Sequence, residues 1–403
     1  PNGRSEPRDP GVGQSRIAGN IHIVLQLLET NSVLRLIKDD NKSVQFDVVL
    51  SSVDFVNLII VPLLGNRHYT KEEVLQIPED NLTQLIEDLF PLRPKHRIKK
   101  STLSQYAIRA PNLSIVSLAC NTNYCIEIKP KEGFVSTNFR KYMKCYYCFK
   151  QHLKLHTNQI EKISGYCPLD LFSGCKKRMK LALLNLIDNP QNNLKLFENG
   201  TVIYSDTSTQ ADFENAVKHM NCFSSLDLFL DFLIEILLSS EDDQSIELKK
   251  SNLIMDATIK NKSCDEYNVL KKSSFLYNLL NLQKKSDNIS YNSKVEPDYF
   301  KQILHQLKVH HFNLKLEKDK KSFFNVIPPE HIALISAIAK DCSIMISFTP
   351  EHSLNYPSIN VEGKNISYKL AVTDLEPKSF KTLSKREVTE KQLIDIFENS
   401  IES

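Results

Sequence analysis

The stretch "NYCIEIKPKEGF", residues 123–134, concentrates chemistry in a few positions. Glu127, Lys129 and Lys131 stand at every second residue. Side chains of an extended strand alternate faces, so these three share one face while Ile126 and Ile128 point to the other, into a core. Pro130 has no amide to donate, which confines it to a sheet edge or a strand end. Gly133 permits a sharp turn or a close ligand. A carboxylate beside two ammonium groups is either a charged strand exit in water or one wall of a phosphate-binding cleft. The segment alone leaves both readings open.

Further candidates lie elsewhere. Asp341 sits before "CSIMIS" and Asp374 ends "YKLAVT", each following an apolar stretch. A carboxylate at such an edge can accept a hydroxyl proton, hold a magnesium ion, or merely cap a turn. Cys145, Cys148 and His152 fall on one face of a run of helix formers, with Cys167 close by in sequence. That set is a weak zinc candidate, weighed against ordinary reduced thiols. No Ser-His-Asp or Cys-His nucleophile arrangement stands out.

The elements that must hold these groups can be sketched from pattern. The chain has 403 residues, is 41% hydrophobic and 25% charged, and carries a net charge of +3. Its length suits two domains or a bilobed unit with a large core. The balanced charge argues against a nucleic-acid-coating field, so an anion site must come from local Lys and Arg. Nine cysteines, an odd and scattered number with no apolar leader, point to reduced thiols in the cytoplasm or nucleus. "SLDLFLDFLIEILLSS" carries Asp227, Asp231 and Glu235 as one wet stripe and reads as a core helix rather than a membrane span.

Residues 1–18 are dense in Pro, Gly, Arg and Ser and read as a disordered or foreign leader. "IHIVLQLL" and "SVLRLIK" suggest a hairpin, and "NLIIVPLLG" a further strand. Helix-like "NLTQLIEDLF", the basic loop "RPKHRIKK" and the strand "NYCIEIK" then complete a mostly β lobe over 19–132. The remainder, 133–403, is richer in helices: "RKYMKCYYCFKQHLKLH" shows no breaker, and "CKKRMKLALLNLI" is amphipathic. "NLKLFENGTVIY" resembles a hairpin with an Asn-Gly turn. Residues 240–296 read as a long, partly mobile insertion.

Beyond these patterns, "EIKPK" resembles the signature of the inositol-pentakisphosphate 2-kinase family. "PLLG" (62–65), "QHLK" (151–154), "YCPLDLFSG" (166–174), "QNN" (191–193), "AKDCSIMIS" (339–347) and "TDLEPK" (373–378) agree with it in order. The resemblance spans roughly residues 19 to 386. It implies an α+β, two-lobed kinase-like fold, with a β-rich N-lobe, a larger helix-rich C-lobe and ATP in the interlobe cleft. It also implies transfer of the ATP γ-phosphate, with magnesium, to the 2-hydroxyl of inositol 1,3,4,5,6-pentakisphosphate, giving inositol hexakisphosphate. Matching positions assign Asp341 to the hydroxyl. Gly19, Asn20, Arg35, Glu127, Lys129, Asn193, Lys195 and Asp374 fall to ATP, with Asp374 on the metal. Arg97, Lys131, Lys154, Asn192 and Lys378 fall to the inositol phosphate. The expected enzyme is a monomer with a small-molecule substrate, binding neither nucleic acid nor membrane.

Two departures from the family pattern matter. The glycine-rich loop matches only at Gly19, Asn20 and Val24 of "IAGNIHIV", where Ile17 and Ala18 replace a glycine and an acid. A missing or replaced N-terminus would explain that. A non-catalytic inositol-polyphosphate scaffold with an impaired nucleotide loop is the alternative. After "TDLEPK", Thr382 and Arg386 stand near the places of a family Arg and Tyr, with Lys381 and Lys385 as further substitutes.

Overall fold

A computed structural model describes residues 12–18, 22–27, 30–39, 44–65, 69, 71–92, 102–240, 245–247, 270–290, 295–351, 353 and 355–402. Gly19, Asn20, Arg97 and most of the basic loop lie outside them. The chain opens with strands β1 (Val12–Ala18), β2 (His22–Leu27) and β3 (Ser32–Lys38). Residues 12–18, expected in a disordered leader, instead pair antiparallel with β2. The β2–β3 hairpin matches the sequence pattern.

"NLIIVPLLG" corrects the expectation of a strand. It continues helix α1 (Phe46–Phe55) through a π turn, Val56–Ile60, into α2 (Val61–Leu64). The wide turn accommodates Pro62, which lacks an amide for the helical ladder. Gly65, in the left-handed conformation at φ 67°, caps the end. This helix is apolar and long enough to cross a membrane by composition, yet half of that window is buried inside the protein. Strand β4 (Glu73–Gln76), helix α3 (Glu79–Leu89) and strand β5 (Leu103–Pro111) follow. They complete a five-stranded antiparallel sheet in the order β1-β2-β3-β5-β4.

The larger sheet starts at β6 (Tyr124–Ile128) and adds the hairpin β7 (Leu194–Glu198) and β8 (Thr201–Tyr204). Asn199 and Gly200 turn that hairpin, both at positive φ. Strands β9 (Ser245–Glu247), β10 (Ser343–Thr349), β11 (Ser358–Val361) and β12 (Lys364–Thr373) give the order β8-β7-β6-β10-β12-β11-β9. All pairs are antiparallel except β11 with β9. Because β6 bonds to β7 and β10, the change from one sheet to the other falls after Pro111, not at residue 132.

Helices pack around this sheet: α4 (Tyr146–His156), α5 (Pro168–Leu171), α6 (Lys176–Asp188), α7 (Gln210–His219), α8 (Leu226–Leu238), α9 (Phe275–Lys284), α10 (Tyr299–Val309), α11 (Glu317–Val326), α12 (Pro329–Asp341) and α13 (Lys381–Glu402). Helix α8 is the expected core element, and its acidic stripe meets cations. Lys180 lies 2.7 Å from both Asp227 and Asp231, and Lys176 pairs with Glu235. The breaker-free run before α4 is in fact interrupted. A 3₁₀ turn over Thr137–Tyr142 ends at Met143, whose φ is 55°. The span 240–296, expected as an insertion, contains α9, whose Leu276 and Leu279 are fully buried in the main core.

Gly133 owes its identity to packing. A Cβ there would meet the Phe172 ring at 2.3 Å, so neither a ligand nor a turn is the reason. Gly133→Ala should lower unfolding stability by about 1–3 kcal/mol through overpacking, read from the midpoint of urea denaturation.

Candidate functional site

Beyond β6 the chain runs Lys129-Pro130-Lys131-Glu132-Gly133, and buried polar groups hold its path. Tyr166 donates its hydroxyl to the Pro130 carbonyl at 2.7 Å. Gln283 of α9, fully buried, accepts from the Gly133 amide at 2.9 Å. Its Nε2 donates to the carbonyls of Lys131 at 2.8 Å and Ala339 at 3.0 Å. One amide side chain thus ties this segment to the end of α12, where Asp341 sits. Lys131 itself has φ 59°, a costly left-handed conformation for a lysine, which turns its side chain out of the strand's alternation.

Two cavities meet here. The larger, about 1150 Å³, is lined by Lys131, Glu132, Lys150, Lys154, Asn192, Asn193, Lys340, Lys385 and Arg386, among others. The smaller, about 540 Å³, lies between His22, Val24, Val33 and Arg35 of the five-stranded sheet and Glu127, Lys195, Phe197 and Met345 of the larger one. Ala110–Ser114, leaving β5, close one side, and Asp374, Glu376 and Lys378 another. Lys129 and Asp341 line both. Alternate residues of the opening stretch therefore serve different spaces: Glu127 faces the smaller cavity, Lys131 the larger, and Lys129 the junction.

Helix α4 presents Tyr147, Lys150, Gln151 and Lys154 to the larger cavity, the i, i+3, i+4, i+7 stripe of one helical face. Gln151 is buried and exchanges amide hydrogen bonds with Gln191 at 2.9 and 3.1 Å. That pairing holds Gln191 and Asn192 at φ 43° and 64°, so "QHLK" shapes the "QNN" turn. Asn193 is buried and donates to the Tyr147 hydroxyl at 3.2 Å. It lines only the larger cavity, on the side opposite to its expected nucleotide role. Lys378, expected on the inositol side, lines the smaller one and bonds Asp341 at 2.8 Å.

Electrostatics divide the lysines into two kinds. Burial opposes the charge of Lys129, but Asp374 at 3.5 Å, Glu127 and Asp341 outweigh it and raise its pKa. For Lys131, burial and the repulsion of Lys129, Lys150 and Lys154 outweigh Asp341 and bring the ammonium down to about 8. Lys150 is lowered by burial and by Lys154 and Lys385, and Lys154 by burial. Such a cluster is uncomfortable until an anion enters. Burial works against the charge of Asp341 as well, yet Lys378, Lys131 and Lys129 hold its carboxyl below the usual range. Its side chain is 61% exposed, toward the open space of the cavities. Asp374, at φ 65°, accepts from the Ser343 hydroxyl at 2.9 Å through Oδ2.

The smaller cavity is framed by two long-range ties. Arg35 lies 2.5 Å from Glu72 and from Glu376, the latter 341 residues away. Beside it, burial and Arg35 push His22 down to about 4. Lys369 of β12, 3% exposed, donates to the carbonyls of Asn112 and Ile115 at 3.0 Å each, while Ser347 bonds the Leu113 carbonyl. The larger sheet thereby grips the connector that shapes one wall of the cavity.

The cysteine set is rearranged. Cys145, Cys148 and Cys167 bring their sulfurs within 4.8 Å of one another, but His152 stacks on Phe397 instead. Three thiols so placed could supply a zinc ion with three of four tetrahedral ligands.

A family model described as inositol-pentakisphosphate 2-kinase matches residues 16–392. The chain belongs to the inositol-pentakisphosphate 2-kinase family. Relatives carrying that name include one from Danio rerio, 27% identical over 96% of this chain and 92% of its own length. Another, from Oryza sativa subsp. indica, is 27% identical over 80% of the chain and 72% of its own length. One from Arabidopsis thaliana is 25% identical over 85% and 76%.

Sequence reading missed Lys150, Lys340 and Gln283. Lys150 was within reach, one turn before Lys154 on the same helical face. Nothing in the sequence marks Gln283, because it acts on backbone distant along the chain. Since Lys131 loses its proton near pH 8 when the cavity is empty, an entering polyanion must draw the proton back. Tripolyphosphate binding should weaken as pH rises through 8 and be accompanied by proton uptake, measured by calorimetry in buffers of different ionisation heat.

Proposed function

We propose that this chain is an ATP-dependent kinase that phosphorylates the 2-hydroxyl of inositol 1,3,4,5,6-pentakisphosphate, giving inositol hexakisphosphate and ADP. The observation that carries the reading is that Lys129 and Asp341 line both cavities. A phosphoryl group must pass between donor and acceptor at such a junction. Family membership supplies the reaction class, and the charge distribution is consistent with it.

In this reading the five-stranded sheet with α3 forms the N-lobe, the connector after Pro111 is the hinge, and the rest is the C-lobe. ATP occupies the smaller cavity, its base between Val24, Val33, Phe197 and Met345 and its phosphates toward Lys129, Lys195 and Asp374. The acceptor occupies the larger cavity, its phosphates met by Lys131, Lys150 and Lys154. Asp341, kept ionised by its lysine neighbours, accepts the hydroxyl hydrogen bond and orients the oxygen toward the γ-phosphorus. As the new O–P bond forms and the bond to the β-phosphate oxygen breaks, the hydroxyl proton passes to the carboxylate. A loose transition state asks little basicity of it, so a depressed pKa is no handicap. Magnesium suits the hard carboxylate oxygens of Asp374, whose Oδ1 has no partner among the described residues; bound there, it would neutralise phosphate oxygens. Asp341, Lys129 and the unpaired lysines converge on one junction, a geometry that a merely phosphate-binding scaffold does not require.

The test incubates purified protein with ATP, magnesium and the pentakisphosphate and follows hexakisphosphate formation; folded protein yielding none refutes the reading. Asp341→Asn should retain binding of both ligands while kcat falls by about 10²- to 10⁴-fold. Lys131→Ala should instead raise the KM for the inositol substrate about 10- to 100-fold, the loss of one charge-assisted hydrogen bond.

A further inference from the structure

An acid stands inside the polyanion cavity. Glu132 lines it, one residue beyond Lys131, yet is only 3% exposed. Its carboxylate lies 3.2 Å from Lys340 and 2.8 Å from Arg386. Arg386 is held from a second side by Glu390 at 2.7 Å and lies over the Tyr146 ring, 4.2 Å from its centroid. Two of the cavity's cations are therefore already satisfied by protein carboxylates. Lys131, Lys150, Lys154 and Lys385 make no ion pair with an acid among the described residues. The cavity has one wall of unpaired ammonium groups and one wall whose charge is internally balanced.

That division bears on which acceptors fit. A subsite built to receive a phosphate rejects a ligand lacking it strongly, by about 10⁴-fold, because its buried cations are then left without partners. A wall whose cations are paired beforehand loses no partner when the phosphate is missing, and a phosphate arriving there must compete with Glu132. We propose that Glu132 makes the larger cavity tolerant of a missing phosphate at the balanced wall, so that the enzyme accepts inositol tetrakisphosphates with a free 2-hydroxyl. This rests on the kinase reading above and adds a specificity determinant to it.

Initial rates with ATP, magnesium and either the pentakisphosphate or each tetrakisphosphate retaining a free 2-hydroxyl decide the matter, in the wild type and in Glu132→Gln. The wild type should use at least one tetrakisphosphate with kcat/KM within about tenfold of the pentakisphosphate. Glu132→Gln should release Arg386 and Lys340 to the ligand, lowering the KM for the pentakisphosphate several-fold and widening its advantage over that tetrakisphosphate. The KM for ATP should stay unchanged, which a general loosening of the fold would not allow. Discrimination beyond about a thousandfold against every tetrakisphosphate, or KM values for the two acceptors that move together in Glu132→Gln, would overturn the proposal. Should that variant not fold, Glu390→Gln frees the other side of Arg386 and must shift selectivity in the same direction. If the wild type phosphorylates nothing, the kinase reading fails, and calorimetric affinities for the same acceptors still read the balanced wall.

Discussion

Like charges in a half-buried space repel, and the rest of this molecule can be read as the means of holding them there. Lys131, Lys150 and Lys154 depress one another or are depressed by burial. A flexible chain would let them part. Here Lys131 is fixed by a backbone bonded to Gln283, and Lys150 and Lys154 by successive turns of one helix. The strain is visible in the backbone, where Lys131, Gln191, Asn192 and Asp374 all take positive φ. Pre-organisation of this kind stores an unfavourable interaction in the empty protein that a polyanion relieves on entry.

The acids complete the arrangement without neutralising it. Asp341 and Asp374 lie at the meeting of α12 with β10 and at the end of β12, two places where polar backbone ends and side chains project into open space. Lys129 and Lys378 bind them and keep them charged. Glu132 acts differently, drawing Lys340 and Arg386 out of the cationic set. Opposite and like charges thus share one small volume, with the fold deciding which pairs close and which remain open.

Much of this was legible in the chain. The "EIKPK" alternation, the hairpins and the helix-to-strand passage at "AKDCSIMIS" are local patterns, and local patterns survive into structure. The failures are non-local. "NLIIVPLLG" is β-branched and interrupted by proline, so it reads as a strand; packing against α9 and α10 and a π turn around Pro62 make it helical. Helix α9 hides in a polar stretch because only its buried face carries apolar residues. Arg386 had looked like a free ligand for phosphate, and no spacing rule could reveal that Glu132, 254 residues earlier, holds it. The partition of Asn193 and Lys378 between the two cavities likewise depends on which side of a turn each side chain leaves.

The central claim is that Lys129 stands between two anions at once. Calorimetric titration of Lys129→Met, Lys131→Met and Lys195→Met with a non-hydrolysable ATP analogue and with inositol pentakisphosphate tests it directly. Lys129→Met should weaken both ligands, Lys131→Met only the inositol phosphate, and Lys195→Met only the nucleotide. A Lys129→Met protein that loses affinity for one ligand and keeps the other intact would contradict the account.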